Sequence, residues 1–83
     1  MYQVIIENKA RKKMRRFPEK VVKRIDNVLT NLCLNPRPPG TDKLTGTDGW
    51  RIRVGDYRIL YAIDDNNKLV TIYDIDHRRQ VYR

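Results

Sequence analysis

Between Gly49 and Ile63 apolar residues recur at every second position, and this pattern constrains the fold more than any other feature of the chain. Trp50, Ile52 and Val54 alternate with two arginines, and the alternation resumes after Gly55-Asp56. A period of two is typical of a strand with one buried face. A glycine-containing dipeptide between two such runs favours a two-residue hairpin loop. The sequence therefore predicts a β-hairpin in this segment.

Alternation also predicts a strand on either side of this region. Near the N-terminus Tyr2, Val4 and Ile6 would share one apolar face. After the hairpin, Asp64 to Asn67 has the composition of a turn, and residues 69–75 form a third consecutive strand.

Two helices are expected between the first strand and the hairpin. Asn8 is a suitable cap for a short helix over residues 9–16, which Pro18 ends. Pro18 also suits the first turn of a second helix, with Glu19 near its positive end. The second helix has one wide apolar face at three-and-four spacing: Val21, Val22, Ile25, Val28, Leu29 and Leu32. The prolines that follow predict a stiff loop from Asn35 towards Gly46.

The order strand, helix, helix, three strands predicts an α+β fold. We expect an antiparallel sheet with an N-terminal strand, a helical hairpin packed on one face and three consecutive C-terminal strands. A chain of 83 residues can build one modest core, so residues 1–83 are expected to form a single domain.

The composition narrows the possible partners. Eighteen Lys and Arg against ten Asp and Glu give a net charge of +8, which favours a polyanion such as nucleic acid. One cysteine allows no internal disulfide, and the first residues do not resemble a signal peptide. No apolar run approaches the length of a membrane span. A cytoplasmic protein without a membrane association is the expectation.

The hairpin predicts a cluster of arginines. A two-residue loop pairs Arg53 with Arg58, and Arg51 lies on the same face, opposite the apolar side chains. Like charges placed opposite each other destabilise a sheet, so their presence favours a site that holds an anion. Arginine matches phosphate with a rigid fork of donors. The alternative is a solvated sheet face on which long side chains cover apolar neighbours.

The C-terminal residues add further candidates. His77 has the one side chain whose ordinary pKa lies near neutrality, which makes it a possible proton-transfer group, and Tyr82 is another. Tyr73 shares the arginine face by parity and could stack on a base. The chain has no serine and no His/Cys cluster at metal-ligand spacing. A metal site on Asp74 and Asp76 is a weaker alternative.

Three segments carry a resemblance to a known family. They are Lys43-Leu44-Thr45-Gly46, the run from Trp50 to Tyr61 with its Gly-Asp-Tyr-Arg turn, and the end from His77 to Tyr82. Together they resemble the RelE branch of the RelE/ParE toxin superfamily of type II toxin–antitoxin systems. The resemblance covers nearly the whole chain and implies an RNA endonuclease that acts on messenger RNA in the ribosomal A site and is neutralised by a cognate antitoxin.

The resemblance also implies the site. Its catalytic positions fall on Arg51, Arg53, Arg58, Arg78 and Tyr82. Further RNA contacts are expected from Tyr73, Arg79 and Lys43. The implied reaction is attack of a ribose 2′-hydroxyl on its own 3′-phosphate, with no metal or cofactor. Arginine is a poorer base than the lysines of the best-known members, so the identity of the base stays open. A ParE-like inhibitor of DNA gyrase and a non-catalytic RNA-binding module are the competing interpretations.

Overall fold

The structure is a computed structural model that describes residues 1–77. One five-stranded sheet carries two helices, and the strand order across the sheet is β1-β5-β4-β3-β2. The elements in chain order are β1 (Gln3–Ile6), α1 (Asn8–Met14), α2 (Glu19–Leu34), β2 (Thr41–Lys43), β3 (Gly49–Val54), β4 (Tyr57–Asp64) and β5 (Leu69–His77). The predicted α+β class, with its helical pair and three consecutive C-terminal strands, is confirmed.

The core lies between the helices and one face of the sheet. Helix α2 buries Ile25, Leu29 and Leu32 there, as its spacing predicts. The sheet contributes the alternate apolar residues of its strands. The buried set from the sheet is Ile52, Val54, Ile59, Tyr61, Val70, Ile72 and Ile75. Tyr61 is fully buried, and its hydroxyl donates a 2.8 Å hydrogen bond to the carbonyl of Pro36, which fixes the proline loop over the core.

Three features of the fold differ from the sequence-based expectation. The sheet is mixed, because β1 runs parallel to β5, whereas the other pairs are antiparallel. The expected loop contains the short strand β2, which pairs with β3 from Thr41 to Lys43. Helix α1 starts at Asn8 itself, with Glu7 at the N-cap and no side-chain cap, and it ends at Met14.

The position of α1 is set by the short length of β1. Strand β1 pairs with β5 only over Leu69 to Ile72, so among residues 1–77 the second half of β5 has no strand neighbour on that side. Helix α1 follows directly and packs against β5 there. Within residues 1–77 no helix combines the length and apolarity needed to cross a bilayer.

Candidate functional site

The hairpin between β3 and β4 brings two arginines into direct opposition. Val54 pairs with Tyr57 and Arg53 pairs with Arg58, which confirms the predicted two-residue loop. Gly55 has a φ of 59°, whereas Asp56 does not share the left-handed conformation, and glycine at the first central position is typical of a type II′ turn. Directly opposed residues have Cβ atoms about 4.5–5.5 Å apart. The side chains of Arg53 and Arg58 therefore leave the sheet side by side on the same face.

Arg51, Arg53 and Arg58, which we call the arginine face, are joined by acidic residues of the flanking strands. Pairing across the sheet gives two rows of side chains on this side. One row is Arg53, Arg58 and Asp76, and the other is Asp42, Arg51, Leu60 and Asp74. The face is therefore a basic centre with carboxylates at both margins.

The three arginines differ in exposure. Arg53 is exposed and Arg51 is half-buried, with its guanidinium 3.2 Å from a carboxylate oxygen of Asp42. Arg58 is only 5% exposed, and Nη1 approaches the carbonyl of Tyr57 at 3.4 Å. A buried guanidinium has little conformational freedom left to lose when it binds a ligand, whereas exposed Arg53 can adjust to one. The arrangement suits one fixed and one mobile contact to the same anion.

Helix α1 supplies the cation that holds the acidic margin on β5. Lys13 Nζ donates to Asp74 Oδ1 and to Asp76 Oδ2, each at 2.8 Å. Lys9 adds a longer contact of 3.6 Å to Asp74. Burial favours the neutral forms, but the hydrogen bonds outweigh it, so the pKa of Lys13 is raised and the pKa of Asp76 is lowered. Lys13 and Asp76 are therefore both charged at neutral pH.

A β-bulge in β5 brings Asp74 onto the arginine face, where alternation already places Tyr73. The pairing shifts between Leu60 and Tyr61, which leaves Tyr73 without a partner on β4. Its hydroxyl lies where a Cβ on Gly49 would be, so the ring extends across the sheet to β3. Burial and then the charge of Asp74 raise the pKa of Tyr73, which keeps its hydroxyl protonated at neutral pH.

Two predicted site residues, His77 and Lys43, lie at positions that alternate with those of the arginines and so belong to the opposite face of the sheet. His77 pairs with Tyr57, and their rings meet edge-on at 5.5 Å, with Phe17 packed 4.7 Å from the same tyrosine. Lys43 pairs with Trp50 and lies over its ring at 5.5 Å. Neither position shares a face with the arginines.

Arg78, Arg79 and Tyr82 lie outside the described residues. Of the predicted site, the structure brings together Arg51, Arg53, Arg58 and Tyr73. Sequence reasoning missed Lys13 and Asp42 as neighbours of this site. Asp42 lies in a segment that was predicted as loop. Lys13 is one of three consecutive basic residues in the last turn of α1, and no pattern distinguishes it from the other two.

Comparison with known proteins shows the family to which the chain belongs. Residues 4–82 match the family described as the ParE toxin of the type II toxin–antitoxin system parDE. Among curated proteins, Toxin RelE of Mycobacterium tuberculosis is 36% identical over 84 residues, covering 99% of this chain and 87% of that protein. Toxin RelG of the same organism is 31% identical over 86 residues, covering 99% and 97%.

A solved structure extends the likeness to the fold. The archaeal RelE–RelB complex from Pyrococcus horikoshii contains a chain that superposes with a TM-score of 0.85 at 29% identity, covering 93% of this chain and 94% of that one. The family match spans residues 4–82, and the superposition covers 93% of this chain. The chain belongs to the RelE/ParE superfamily of type II toxin–antitoxin toxins, on its RelE branch.

Proposed function

We propose that this toxin is a metal-independent endoribonuclease that cuts messenger RNA and so inhibits translation. The observation that carries the proposal is the opposition of Arg53 and Arg58 on one face, with Arg51 beside them. A fold gains no stability from two cations placed opposite each other, whereas an RNA phosphate between them would turn that repulsion into attraction. The net charge of +8 favours the approach of RNA as a whole.

The reaction is a transfer of the phosphoryl group within the RNA strand. The ribose 2′-oxygen forms a bond to the adjacent phosphorus while the bond from phosphorus to the 5′-oxygen of the next nucleotide breaks. The 2′-hydroxyl gives up a proton and the departing 5′-oxygen receives one, leaving a 2′,3′-cyclic phosphate and a free 5′-hydroxyl. Arg58 and Arg53 stabilise the additional negative charge on the phosphorane, because their fixed donors are complementary to it.

Three residues are candidates for moving the protons in this proposal: Tyr82, Arg51 and His77. Arg78 is proposed to assist the departure of the 5′-oxygen. The position of His77 opposite Tyr57, on the other parity, favours the first two candidates over His77. Cations lower the pKa of a neighbouring tyrosine and so increase the ionised fraction that can accept a proton. The last six residues contain three arginines besides Tyr82, which supports Tyr82 as the base.

RNA binding extends beyond the scissile phosphate. Tyr73 lies on the same side of the sheet as the arginines, with its hydroxyl at Gly49, and offers a ring on which a base can stack. Arg79 and Lys43 would hold more distant phosphates. By analogy with the complex of the Pyrococcus relative with RelB, we propose a cognate antitoxin as the protein partner. The substrate is proposed to be messenger RNA in the ribosomal A site, and the location the cytoplasm.

Removal of both opposed arginines tests this function. Expression of the toxin should arrest growth and degrade messages, and the Arg53→Gln/Arg58→Gln variant should do neither. Because Arg58 is buried, thermal unfolding of the purified variant must show that it is folded. A folded double variant that still degrades messages would refute the proposal.

The match to the ParE model favours a second candidate, a toxin that inhibits DNA gyrase by binding. A supercoiling assay with purified gyrase separates the two, since an endoribonuclease should leave supercoiling unchanged. A non-catalytic RNA-binding module is the third possibility. RNA fragments that carry cyclic phosphate ends would exclude it.

A further inference from the structure

The side chain of Tyr73 lies along the sheet instead of pointing away from it. The bulge leaves Tyr73 without a partner on β4, and its hydroxyl lies on β3, at the place where a Cβ on Gly49 would be. Neighbouring strands are about 4.8 Å apart, so a ring that stood upright on β5 could not reach β3. The ring therefore crosses β4 between Leu60 and Ala62, the residues of that strand that face the same side.

The tip of Tyr73 is enclosed by the loop between β2 and β3. A methyl group of Leu44 and the hydroxyl of Thr47 lie 3.0 Å and 3.2 Å from the position of the missing Cβ, in the same space as the tyrosine hydroxyl. The Thr47 hydroxyl also accepts a 3.0 Å hydrogen bond from the backbone N–H of Gly49, which holds the loop there. Gly49 is buried, whereas Tyr73 is only half-buried. Because the hydroxyl is enclosed, the accessible part of Tyr73 is its ring.

The ring is close enough to the arginine face for one RNA strand to contact both. Leu60 pairs with Arg51, so the ring adjoins this face directly. Arg53 and Arg58 form the next row, three residues of β4 from the point where the ring crosses, which is about 10 Å at the usual rise per residue of a strand. A phosphate bound by exposed Arg53 would bring a neighbouring base of the same strand within reach of the ring.

We propose that the ring of Tyr73 is a stacking platform for one base close to the cleaved bond, and that it selects purines over pyrimidines without distinguishing adenine from guanine. The inference rests on the proposed function. Every base has a π-face, and a purine covers more of a tyrosine ring than a pyrimidine does. Adenine and guanine differ at their edges, and the one polar atom of this side chain is enclosed at Gly49. Gly49 acts through the tyrosine and is a positioning residue.

Removal of the ring and removal of the base should have the same effect. Affinities are measured by fluorescence anisotropy with short 2′-O-methyl RNA oligonucleotides, which have no 2′-hydroxyl and stay intact, and an abasic nucleotide is moved through every position. Wild type should lose about tenfold in affinity when the abasic nucleotide reaches the stacked position. Tyr73→Leu should bind intact RNA about tenfold more weakly and lose nothing further at that position. Tyr2→Leu, at a half-buried tyrosine that packs against the core, is the matched control and should keep the wild-type profile.

Gly49 distinguishes a positioned ring from one that is only nearby. Gly49→Ala places a methyl group against the hydroxyl of Tyr73, so the ring must move and affinity should fall by about fivefold. Gly49→Ala/Tyr73→Phe carries the methyl group but lacks the hydroxyl, so affinity should return to within about twofold of wild type. Tyr73→Phe alone should bind like wild type. 2-Aminopurine at the stacked position should be quenched by wild type and by the double variant but not by Gly49→Ala.

The choice of base tests the selectivity. A purine at the stacked position should bind roughly threefold more tightly than a pyrimidine, with adenine and guanine within about twofold of each other. Equal binding of purines and pyrimidines would overturn the selectivity, and an abasic profile shared by wild type and Tyr73→Leu would overturn the platform. If Tyr73→Leu does not fold, the comparison of Gly49→Ala with its double variant decides. A purely structural ring would lower the unfolding temperature of these variants without changing the abasic profile or the quenching.

Arg53→Gln, measured with the same oligonucleotides, separates this inference from the proposed function. If Arg53→Gln binds as tightly as wild type, the RNA site itself is wrong. If Arg53→Gln is weakened and Tyr73→Leu keeps the wild-type abasic profile, the RNA site stands and the stacking platform alone fails.

Discussion

Arg53→Gln offers the cleanest separation of RNA binding from folding. Arg53 is exposed and lies directly opposite Arg58, so its removal relieves a repulsion and takes nothing from the core. We expect the free energy of unfolding to stay within about 0.5 kcal/mol of wild type or to rise by a few tenths. A lost charged hydrogen bond to phosphate is worth about 1.5–3 kcal/mol, which corresponds to roughly 10- to 150-fold in affinity or in kcat/KM.

The salt dependence of RNA binding gives an independent measure of the contact between Arg53 and phosphate. Each phosphate contact to single-stranded RNA contributes about 0.7 to the slope of log K against log salt concentration, so Arg53→Gln should reduce that slope by about 0.7. Arg16→Gln, an exposed arginine after α1, makes the same change of charge and should leave the slope within error of wild type. The reasoning is refuted if Arg53→Gln has wild-type affinity and slope, or if the two variants behave alike.

Three further predictions concern the scaffold around the site. Tyr61→Phe leaves the carbonyl of buried Pro36 without its 2.8 Å donor and should lower stability by about 1–2 kcal/mol in chemical denaturation. Gly49→Ala places a methyl group against the hydroxyl of Tyr73 and should cost about 1 kcal/mol, an effect that the additional change Tyr73→Phe should largely remove in a double-mutant cycle. Asp65 accepts side-chain hydrogen bonds from Arg37 and Tyr2, which lower its pKa from 3.8 to about 2. The contribution of these contacts to the free energy of unfolding is therefore present above pH 4 and is lost as the pH falls towards 2. The difference in unfolding temperature between wild type and Asp65→Asn should shrink over that window, and a constant difference would contradict the assignment.

Local sequence rules were sufficient for the centre of the candidate site. A two-residue loop with glycine fixes the pairing of its flanking strands, so Arg53 and Arg58 could be placed opposite each other from the sequence alone. The apolar face of α2 could also be predicted, because a period of 3.6 that persists over 16 residues is typical of a helix and not of a strand.

The margins of the site depend on contacts that no local pattern encodes. Strand β2 has only three residues and forms because β3 offers it an edge, so Thr41 to Lys43 carries no alternation of its own. The bulge at Tyr73 adds one residue to β5 and changes the parity of every later side chain. Simple alternation therefore predicted the face of Tyr73 correctly. It could not predict that Asp74 and Asp76, which follow the bulge, lie on the arginine face as well. Lys13 reaches them because β1 is short, which is a property of the sheet as a whole.

The nature of the RNA ends tests the central claim most directly. A message incubated with translating ribosomes and the toxin should yield upstream fragments with 2′,3′-cyclic phosphate ends and downstream fragments with 5′-hydroxyl ends. These products should be absent with the Arg53→Gln/Arg58→Gln variant. Fragments with 3′-hydroxyl and 5′-phosphate ends, or intact message together with inhibited gyrase, would contradict the account.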